Sequence, residues 1–355
     1  MKNIKYAIVG FGGIAENRIA KEGFALDSAR FKPLHNVRLV GAADIATTRA
    51  SAAKKLKLKW FDSVDAICES KDVDAVFIAT NNLSHYPIAK QLLEARKHLI
   101  IEKPITTTLD HAKELIQLAA KNDLSLAVDH MMLHNAYNIK AKQIIQKGGL
   151  GDINHIVLHM EFPYGFTKDE ASTWRCSNPD EVGGPIGDVA SHCMYMGEFL
   201  LNDTIGSLQA VYVPPVIQIH AENGAYINFT TRKNVTGTIR VSFSEPRGPG
   251  QSTLLNLGYE VYGSKKTLRA SGTLFQLSGH PREPIPLRLE VDDFHSTVKR
   301  VRVSKVQNIY QMVIEDHADS IVRGPRGTGS DALHNLELVL KAHESARGNG
   351  ITIQI

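Results

Sequence analysis

Short apolar runs alternate with helical patterns over the first third of the chain. The runs are KYAIVGF, VRLVGAAD, AVFIAT, HLIIEKP and SLAVDH, between Lys5 and His130. They lack the polar alternation of half-exposed strands, which favours a parallel sheet covered on both faces. The stretches between them, such as TLDHAKELIQLAAKN, repeat apolar residues at intervals of three and four. This order predicts an N-terminal domain over residues 1–128, an α/β domain with a doubly wound parallel sheet.

The pattern changes beyond residue 128. Strand-like segments follow one another with turn-forming residues between them: DINHIVLHMEF, SLQAVYVP, AYINFTTR, TGTIRVSFSE, LGYEVYGSKKTLRAS and STVKRVRVSK. They predict a second domain over residues 129–355, of the α+β class, with few helices and a large open, mostly antiparallel sheet. The closing stretch SDALHNLELVLKAHESARGNG predicts a helix over residues 330–347, which could pack back towards the first domain.

Size and composition support two globular domains. A chain of 355 residues exceeds the roughly 250 to 300 residues at which a single core stops growing. Its hydrophobic content of 43% and charged content of 22% are ordinary for a globular protein. The net charge is +4, and the densest basic stretch, KRVRVSK at residues 299–305, alternates with valine as a strand does. No nucleic-acid partner is therefore expected.

Cysteine usage and hydropathy indicate the compartment. Cys68, Cys176 and Cys193 are odd in number and have no CxxC spacing, so they suggest neither a disulfide framework nor a zinc cage. No window of about 18 apolar residues occurs, and the first apolar run soon reaches glycine. We expect a cytoplasmic protein without a membrane partner.

A glycine-rich turn follows the first predicted strand and opens a helical pattern. Gly10, Gly12 and Ala15 have the spacing G-x-G-x-x-A. Such residues allow a tight turn, a close approach of the backbone to a pyrophosphate, and close packing of helix on strand. The context predicts a Rossmann dinucleotide-binding domain. The expected cofactor-binding turn comprises Gly10, Gly12, Gly13, Ile14 and Ala15.

An acid at the end of the second strand bears on the choice of cofactor. Asp44 closes VRLVGAAD, where a carboxylate would bind the ribose hydroxyls and repel a 2′-phosphate, so NAD is favoured over NADP. It lies farther from Gly10 than the roughly 20 residues that are usual. Asp27 lies closer to the usual distance from Gly10, but no strand precedes it. We therefore keep Asp44 and interpret KEGFALDSARFKPLHN as an insertion between the first helix and the second strand. Arg49 could accommodate a 2′-phosphate, which keeps NADP as the alternative.

Three segments in order carry a family resemblance. They are GFGGIA, ATNNLSHYPIAKQLLEARKHLIIEKP and GGPIGDVASH, and the C-terminal helical stretch fits as well. The chain resembles the glucose-fructose oxidoreductase and inositol dehydrogenase family, Gfo/Idh/MocA. The resemblance implies an N-terminal Rossmann domain that binds a nicotinamide dinucleotide. It also implies a C-terminal domain whose large sheet supplies the substrate site and the subunit contacts. Because the open face of that sheet must be covered, and pairing of subunits is the simplest cover, we expect a homodimer or homotetramer.

The E-K-P motif follows an apolar strand. Pro104 disfavours a helical conformation at Lys103, so the ammonium group should be held at the carboxyl edge of the sheet, where α/β proteins bind ligands. The resemblance implies that Lys103 reaches the substrate beside the nicotinamide and that Glu102 lies on the cofactor side. The alternative is an ordinary surface salt bridge between Glu102 and Lys103.

A second candidate motif is D-x-x-x-H. Asp188 and His192 are four residues apart, a spacing that puts both side chains on one helix face. The resemblance implies that they form the catalytic group with Lys103. An imidazole, with an ordinary pKa of about 6.5, suits removal of a hydroxyl proton near neutral pH, whereas Lys103 would stabilise charge on the reacting oxygen. Asp188 would orient substrate hydroxyls or tune its cationic neighbours; alternatively the two residues are a solvated pair. We expect Lys103 and His192 to act on one substrate carbon.

Other candidates come from the resemblance alone. Thr80, Asn82 and His85 should line the nicotinamide side, although a helix cap at Ser84 would explain part of that segment equally well. Trp174 and Arg175 should contact the substrate, and a structural salt bridge is the alternative for the arginine.

The segment AVDHMMLHNAYNIKA departs from the family pattern G-[FY]-x-x-R. The usual arginine is absent, so the substrate preferences of relatives do not transfer, and His130 is expected to contact something different. His130, His134 and Asp129 could suggest a metal site. Without a second cluster at ligand spacing, no metal is expected.

The sequence thus predicts an NAD-dependent oxidoreductase. It would transfer a hydride to or from a secondary hydroxyl or keto group of a sugar, sugar phosphate, cyclitol or related polyol, in either direction. Two alternatives stay open: a non-catalytic NAD-binding regulator or scaffold of the same fold, and an NAD-assisted glycoside hydrolase.

Overall fold

The structure is a computed structural model that describes residues 3–245, 257–272, 287–295, 297–324 and 329–355. It divides into two compact units: residues 1–131 with 307–336, and residues 132–306 with 337–355. The first unit therefore includes a segment from late in the chain, which follows the strands Ile153–Glu161 to Val298–Arg300 of the second unit and precedes its last strand, Ile353–Gln354. Ser296, the first residue of the predicted strand STVKRVRVSK, lies outside the described residues.

The first unit contains a parallel sheet of six strands. In spatial order they are β3, β2, β1, β4, β5 and β6, so the chain starts in the middle and winds outward both ways. The predicted doubly wound sheet is confirmed. The strands are β1 Ile4–Val9, β2 Val37–Ala43, β3 Lys59–Trp60, β4 Ala75–Ile78, β5 His98–Ile101 and β6 Leu126–Val128. The sequence analysis missed β3, because two residues are too short to give a pattern.

Helices follow the strands of this unit as the spacing of apolar residues predicts. Helix Leu109–Lys121 buries Ala112, Leu115 and Ala119, and the Thr108 hydroxyl caps it by accepting a bond from the His111 N–H. The α-helices are Ala50–Lys55, Val64–Glu69, His85–Glu94, Leu109–Lys121 and Ile309–Arg323; Ala15–Gly23 is π-helical, and Thr47–Arg49 and Asn82–Ser84 are 3₁₀ turns.

Helix Ile309–Arg323 was not predicted from the sequence. It buries Tyr310, Val313 and Ile314 at helical spacing. Its His317 is fully buried, with Nδ1 2.7 Å from the Tyr6 hydroxyl on β1. Burial lowers the pKa of His317 to about 3, so this imidazole is neutral and serves the core rather than chemistry.

The second unit contains a mixed sheet of nine strands. Their order is β14, β13, β12, β11, β7, β10, β9, β8 and β15, and the pair β7 and β10 is parallel whereas the other pairs are antiparallel. The prediction of a large, mostly antiparallel sheet is confirmed. The strands are β7 Ile153–Glu161, β8 Ile205–Tyr212, β9 Gly224–Thr231, β10 Thr236–Ser242, β11 Leu257–Gly263, β12 Thr267–Ser271, β13 Arg288–Asp292, β14 Val298–Arg300 and β15 Ile353–Gln354.

Helices pack on one face of this sheet. Helix Ser191–Leu201 is buried nearly all round and contacts β7, β10 and helix Ala136–Gln146. The other elements are the short helices Lys168–Ala171 and Trp174–Ser177, the π-helical segment Pro185–Ala190, the 3₁₀ turns Met131–His134 and Pro179–Glu181, and helix Ser330–Arg347, whose residues after Leu336 belong to this unit. Within the described ranges, no helix is long and apolar enough to cross a membrane.

Candidate active site

The glycine-rich turn lies at the carboxyl end of β1. Gly10 has φ +87°, and a Cβ there would lie 2.7 Å from the backbone of Ala79 and Thr80, so only glycine fits. A Cβ on Gly12 or Gly13 would meet no atom within 4 Å. The turn is therefore tight where it packs on β4 and open in front of the helical segment that begins at Ala15, as a pyrophosphate requires.

Asp44 lies directly after β2, on the edge where the glycine turn lies. Its Oδ1 accepts a hydrogen bond of 2.8 Å from the Ala46 N–H. Arg49 donates to the Phe11 carbonyl at 2.7 Å and to Glu16 Oε2 at 2.5 Å. The guanidinium thus braces the glycine turn, and it would have to leave both partners to reach a 2′-phosphate.

The T-x-N-x-x-H segment follows β4. Asn82 is buried, whereas Thr80 is partly exposed. His85 is fully buried, with Nδ1 2.8 Å from the Pro104 carbonyl, and burial lowers its pKa to about 4. The neutral ring donates Nδ1–H to that carbonyl and so braces the E-K-P segment. The Ser84 hydroxyl bonds Asn81 Oδ1 and does not cap the following helix.

Glu102 and Lys103 leave the sheet at the end of β5. The Glu102 N–H donates to the Ile78 carbonyl at 2.9 Å, and Glu102 Oε2 accepts a 3.2 Å bond from the Lys103 N–H. The Lys103–Pro104 peptide bond is cis. Both side chains are partly exposed at the carboxyl edge, as the sequence predicted for this lysine.

Two residues of the segment AVDHMMLHNAYNIKA, which departs from the family pattern, follow β6. Asp129 is fully buried beside Glu102, and burial, followed by the Glu102 charge, raises its pKa well above the ordinary range. His130 is 5% exposed, and its Nδ1 lies 3.4 Å from Asp331 Oδ2. Hydrogen bonding to His130 lowers the pKa of Asp331. In the part of the chain that the structure describes, no group of three or more His, Cys, Asp or Glu side chains could hold a metal ion.

The second unit carries the D-x-x-x-H motif on a helix with an unusual start. Pro185–Ala190, which includes Asp188, is π-helical, and the regular helix with His192 begins at Ser191. Such wide turns recur at functional sites. Asp188 Oδ1 lies 3.4 Å from Arg175 Nε, and the Arg175 guanidinium stacks 4.2 Å over the Trp174 ring. The ion pair considered for this arginine is present.

His192 is buried in the same unit. It is 1% exposed, and its Nδ1 lies 2.6 Å from the Tyr195 hydroxyl. A hydroxyl can accept a bond from Nδ1–H or donate one to unprotonated Nδ1. Tyr195 therefore suits either tautomer, so Nε2 can take up a proton in one direction of a reaction and release one in the other.

Glu222 supports the segment that carries Asp188. Its Oε1 accepts a 2.7 Å bond from the Ile186 N–H, and a Cβ on Gly184, where φ is +64°, would lie 2.6 Å from Oε2. Burial raises the pKa of Glu222 to about 7, whereas the Ile186 N–H and the Arg347 charge oppose the rise. Burial, followed by the Glu222 charge, raises the pKa of Tyr212, whose hydroxyl lies 3.0 Å from His343 Nδ1.

Replacing Glu222 with glutamine should flatten a pH dependence of stability. The native carboxyl binds its proton more tightly than the unfolded chain does, so the wild-type protein loses stability as pH rises from 4.5 to about 7. Relative to Glu222→Gln, the loss should reach up to about 3 kcal/mol. Denaturant unfolding of both proteins at pH 5 and pH 8 measures it, with Glu94→Gln, at an exposed carboxylate, as control. Equal pH slopes for wild type and Glu222→Gln would contradict the assignment.

The structure brings the candidates together within each unit. In the first, they all lie where β1, β2, β4, β5 and β6 end, on one edge of the sheet: Gly10, Gly12, Gly13, Ile14, Ala15, Asp44, Thr80, Asn82, His85, Glu102, Lys103 and His130. In the second, Arg175 joins Trp174 to Asp188, and the backbone of Arg175 packs against Gly183, where a Cβ would lie 2.6 Å from its carbonyl oxygen.

Three further residues of the site were missed from the sequence, and a fourth, Asp129, was considered only as a metal ligand. Tyr195 stands three positions after His192, and Glu16 lies in the first turn after the glycines, so local signals existed for both. Asp129 follows a strand as Glu102 does, which was a usable signal for a pair. Glu222 is far along the chain from Ile186, and no sequence pattern links them.

The chain is similar to known proteins over both units. Residues 4–130 match the family GFO_IDH_MocA, described as "Oxidoreductase family, NAD-binding Rossmann fold", and residues 138–269 match the "GFO/IDH/MocA C-terminal domain". One curated relative is a dTDP-3,4-didehydro-2,6-dideoxy-alpha-D-glucose 3-reductase from Streptomyces violaceoruber. It is 24% identical over 289 residues, which cover 79% of this chain and 76% of the relative.

Solved structures share the fold over the whole chain. An aldose-aldose oxidoreductase from Caulobacter crescentus, complexed with glycerol, has a TM-score of 0.84 at 18% identity, with 100% of both chains covered. An oxidoreductase from Agrobacterium radiobacter, in complex with NAD+, L-tartaric acid and magnesium, has a TM-score of 0.77 at 21% identity and covers 99% of this chain and 98% of its own. The chain spans only 52%, 44% and 63% of the length of the first three curated relatives it matches.

Proposed function

The chain belongs to the Gfo/Idh/MocA family of oxidoreductases, and from that premise we propose that it is an NAD-dependent dehydrogenase or reductase. It transfers a hydride between NAD(H) and a secondary hydroxyl or keto group of a sugar, sugar phosphate, cyclitol or related polyol. The sugar reductase among its relatives supports that substrate class. The observation that carries the proposal is the position of Lys103, which lies on the sheet edge that bears the glycine turn.

NAD fits the residues of this edge. The open side of the turn at Gly12 and Gly13 would take the pyrophosphate, and Asp44 would bind the ribose hydroxyls. When bound, the nicotinamide ring supplies or accepts the hydride. Asp44 repels a 2′-phosphate and Arg49 is engaged elsewhere, which supports NAD over NADP.

The proton chemistry falls to the chain itself. His192 takes the hydroxyl proton of the substrate on Nε2 during oxidation, while its Nδ1–H donates to the Tyr195 hydroxyl. Lys103 hydrogen-bonds the reacting oxygen and stabilises the charge that develops on it. Asp188, Trp174, Arg175 and His130 orient the remaining hydroxyls of the substrate. In reduction the same groups return the proton to the carbonyl oxygen.

An absorbance assay separates this function from its alternatives. The protein is incubated with NAD or NADP and a panel of sugars, inositols, their phosphates and p-nitrophenyl glycosides, and NADH and released p-nitrophenol are both followed. Net NADH formation, faster with NAD than with NADP, is the expected result. Release of p-nitrophenol without net NADH would identify a hydrolase. Tight NAD binding without turnover of any compound would identify a regulator or scaffold.

The free face of the nine-stranded sheet supports a homodimer or homotetramer. Its side chains remain partly exposed on neighbouring strands, among them Val157, Val211, Tyr226 and Glu260. A sheet face that exposes apolar side chains such as Val211 and Tyr226 is often covered, and pairing of identical subunits is the simplest cover.

Sedimentation should therefore give a mass of at least twice 39.1 kDa. Val157→Asp places a charge at the middle of the face and should shift the protein towards the monomer, because burial of an unpaired charge costs several kcal/mol. Val322→Asp, at an exposed position of the first unit, serves as the control. A monomeric wild-type protein would refute the proposed homodimer or homotetramer but not the proposed activity.

The thiols support a cytoplasmic location. Cys68, Cys176 and Cys193 are all free, and burial raises the pKa of each, with Cys193 the most deeply buried. Protonated thiols of this kind are unreactive and persist in a reducing compartment.

A further inference from the structure

We propose that Asp129 is a positioning residue for Lys103: its carboxyl group shares one proton with that of Glu102, and the pair holds the E-K-P segment in its active arrangement. The inference deepens the proposed function and rests on it. Asp129 belongs to the segment AVDHMMLHNAYNIKA, which departs from the family pattern.

The sheet places the two carboxyl groups side by side. Strands β5 and β6 are parallel neighbours in which Ile101 pairs with Val128, so Glu102 and Asp129 are the next residues on each strand. The Asp129 N–H donates to the Ile101 carbonyl at 2.8 Å. The backbone of Glu102 is tied in turn to β4, so the two backbones are fixed beside each other while the side chains can still rotate.

Burial forces the pair to hold a proton. Asp129 is 0% exposed, and no N–H or O–H group of the described residues donates to either of its oxygens. An ionised carboxylate without donors in such a place would cost several kcal/mol. A protonated Asp129 instead donates to the Glu102 carboxylate, and the pair then carries a single negative charge.

The groups around the pair determine the pH at which it loses that proton. The Lys103 charge favours ionisation of Asp129, whereas the Glu102 charge and burial oppose it. Tyr310 on helix Ile309–Arg323 has its pKa raised by burial and then by the charges of Asp129 and Glu102. His130, the next residue after Asp129, is directed at Asp331.

The shared proton affects the position of the Lys103 backbone, because Glu102 is bonded to both groups. Glu102 Oε2 accepts the Lys103 N–H at 3.2 Å, and this bond is compatible with a neutral Asp129 alongside. When the pair loses its proton, two adjacent carboxylates repel each other and Glu102 must move. The backbone of Lys103 moves with it, so turnover should fall on the alkaline side of its pH profile.

Two substitutions test the device through turnover. Asp129→Asn keeps the shape and donates permanently to Glu102, so it should keep kcat within about threefold of wild type at neutral pH, as expected when one neutral bond replaces another. The alkaline limb of its pH profile of turnover should move to higher pH by about one unit or more, because an amide cannot ionise. Asp129→Leu lacks a donor and should lose kcat about tenfold or more. An Asp129→Asn protein with the wild-type alkaline limb would overturn the proposal, as would equal losses in both variants.

Infrared spectroscopy tests the proton without turnover. Protein labelled with ¹³C at aspartate carboxyl groups should show a shifted band of a protonated carboxylic acid near neutral pH, and Asp129→Asn should lack it. Wild-type stability relative to Asp129→Asn should also fall as pH rises above about 4, because the native state binds the proton more tightly. Absence of the band would defeat the shared proton even in an active enzyme. Presence of the band in a protein that turns over no polyol would defeat the proposed function and leave the carboxyl pair standing.

Discussion

Replacing Lys103 with methionine should abolish turnover while NAD affinity stays within a few-fold of wild type. Methionine keeps the length and the apolar stem of the side chain but cannot donate to the reacting oxygen. Loss of one such preorganised donor costs about 10²–10³-fold in kcat. The glycine turn and Asp44 lie at β1 and β2, so the groups proposed to bind NAD are untouched. Steady-state kinetics and fluorescence titration with NADH measure the two effects.

Lys113→Met is the matched control, because Lys113 is exposed on helix Leu109–Lys121 and the chemical change is the same. It should leave both quantities unchanged. If Lys103→Met lost NAD affinity and kept its rate at saturating NAD, Lys103 would be a cofactor ligand and not a catalytic residue.

His192→Asn should lower kcat/KM by about 10²–10⁴-fold and remove a limb of the pH profile. An asparagine can keep a hydrogen bond to the Tyr195 hydroxyl, yet it has no basic nitrogen with which to take the substrate proton. Because the bond to Tyr195 survives, fold and substrate affinity should change little. The pH dependence of kcat/KM is the decisive measurement, since a purely structural defect would lower the curve without removing a limb.

Tyr195→Phe provides the matched control for the second half of the site. It retains the imidazole and removes only the partner of Nδ1, so the imidazole limb should persist and the loss should be closer to about tenfold, the worth of one hydrogen bond. A greater loss in Tyr195→Phe than in His192→Asn would point to the phenol as the proton acceptor.

The double variant Lys103→Met, His192→Asn examines whether the two residues serve one reaction. Residues that act as a unit give strongly non-additive losses, so the double variant should be little worse than the worse single one. Additive losses would mean that Lys103 and His192 act in independent steps.

Particular elements of this site could be predicted from the sequence. The apolar runs ending in Asp44 and in Glu102 located two of the strand ends, because a strand buried on both faces needs a continuous run and its first polar residue marks where it stops. The glycine spacing after β1 predicted the tight turn, and backbone contact with Ala79 is the reason for Gly10. These features are local, because each depends only on residues that are close together in the sequence.

Other features depend on residues that are distant in sequence. Helix Ile309–Arg323 has the periodicity of a buried helix, but its pattern does not reveal that it belongs with β1 and not with the strands that precede it. The role of Glu222 depends on a single N–H at Ile186 that only the folded chain brings to it. Asp129 could be read as a metal ligand until its burial was known.

By itself the sequence predicted most of the strands and helices, the glycine turn, and Lys103, Asp188 and His192 as candidate catalytic residues, because each prediction follows from backbone sterics, local spacing or family resemblance. The tertiary structure alone decided which ionisable groups are withdrawn from water and which stand next to each other. Protonation depends on that surrounding medium, so the neutral His85, the raised pKa of Glu222 and the carboxyl pair of Glu102 and Asp129 became visible only in the folded chain.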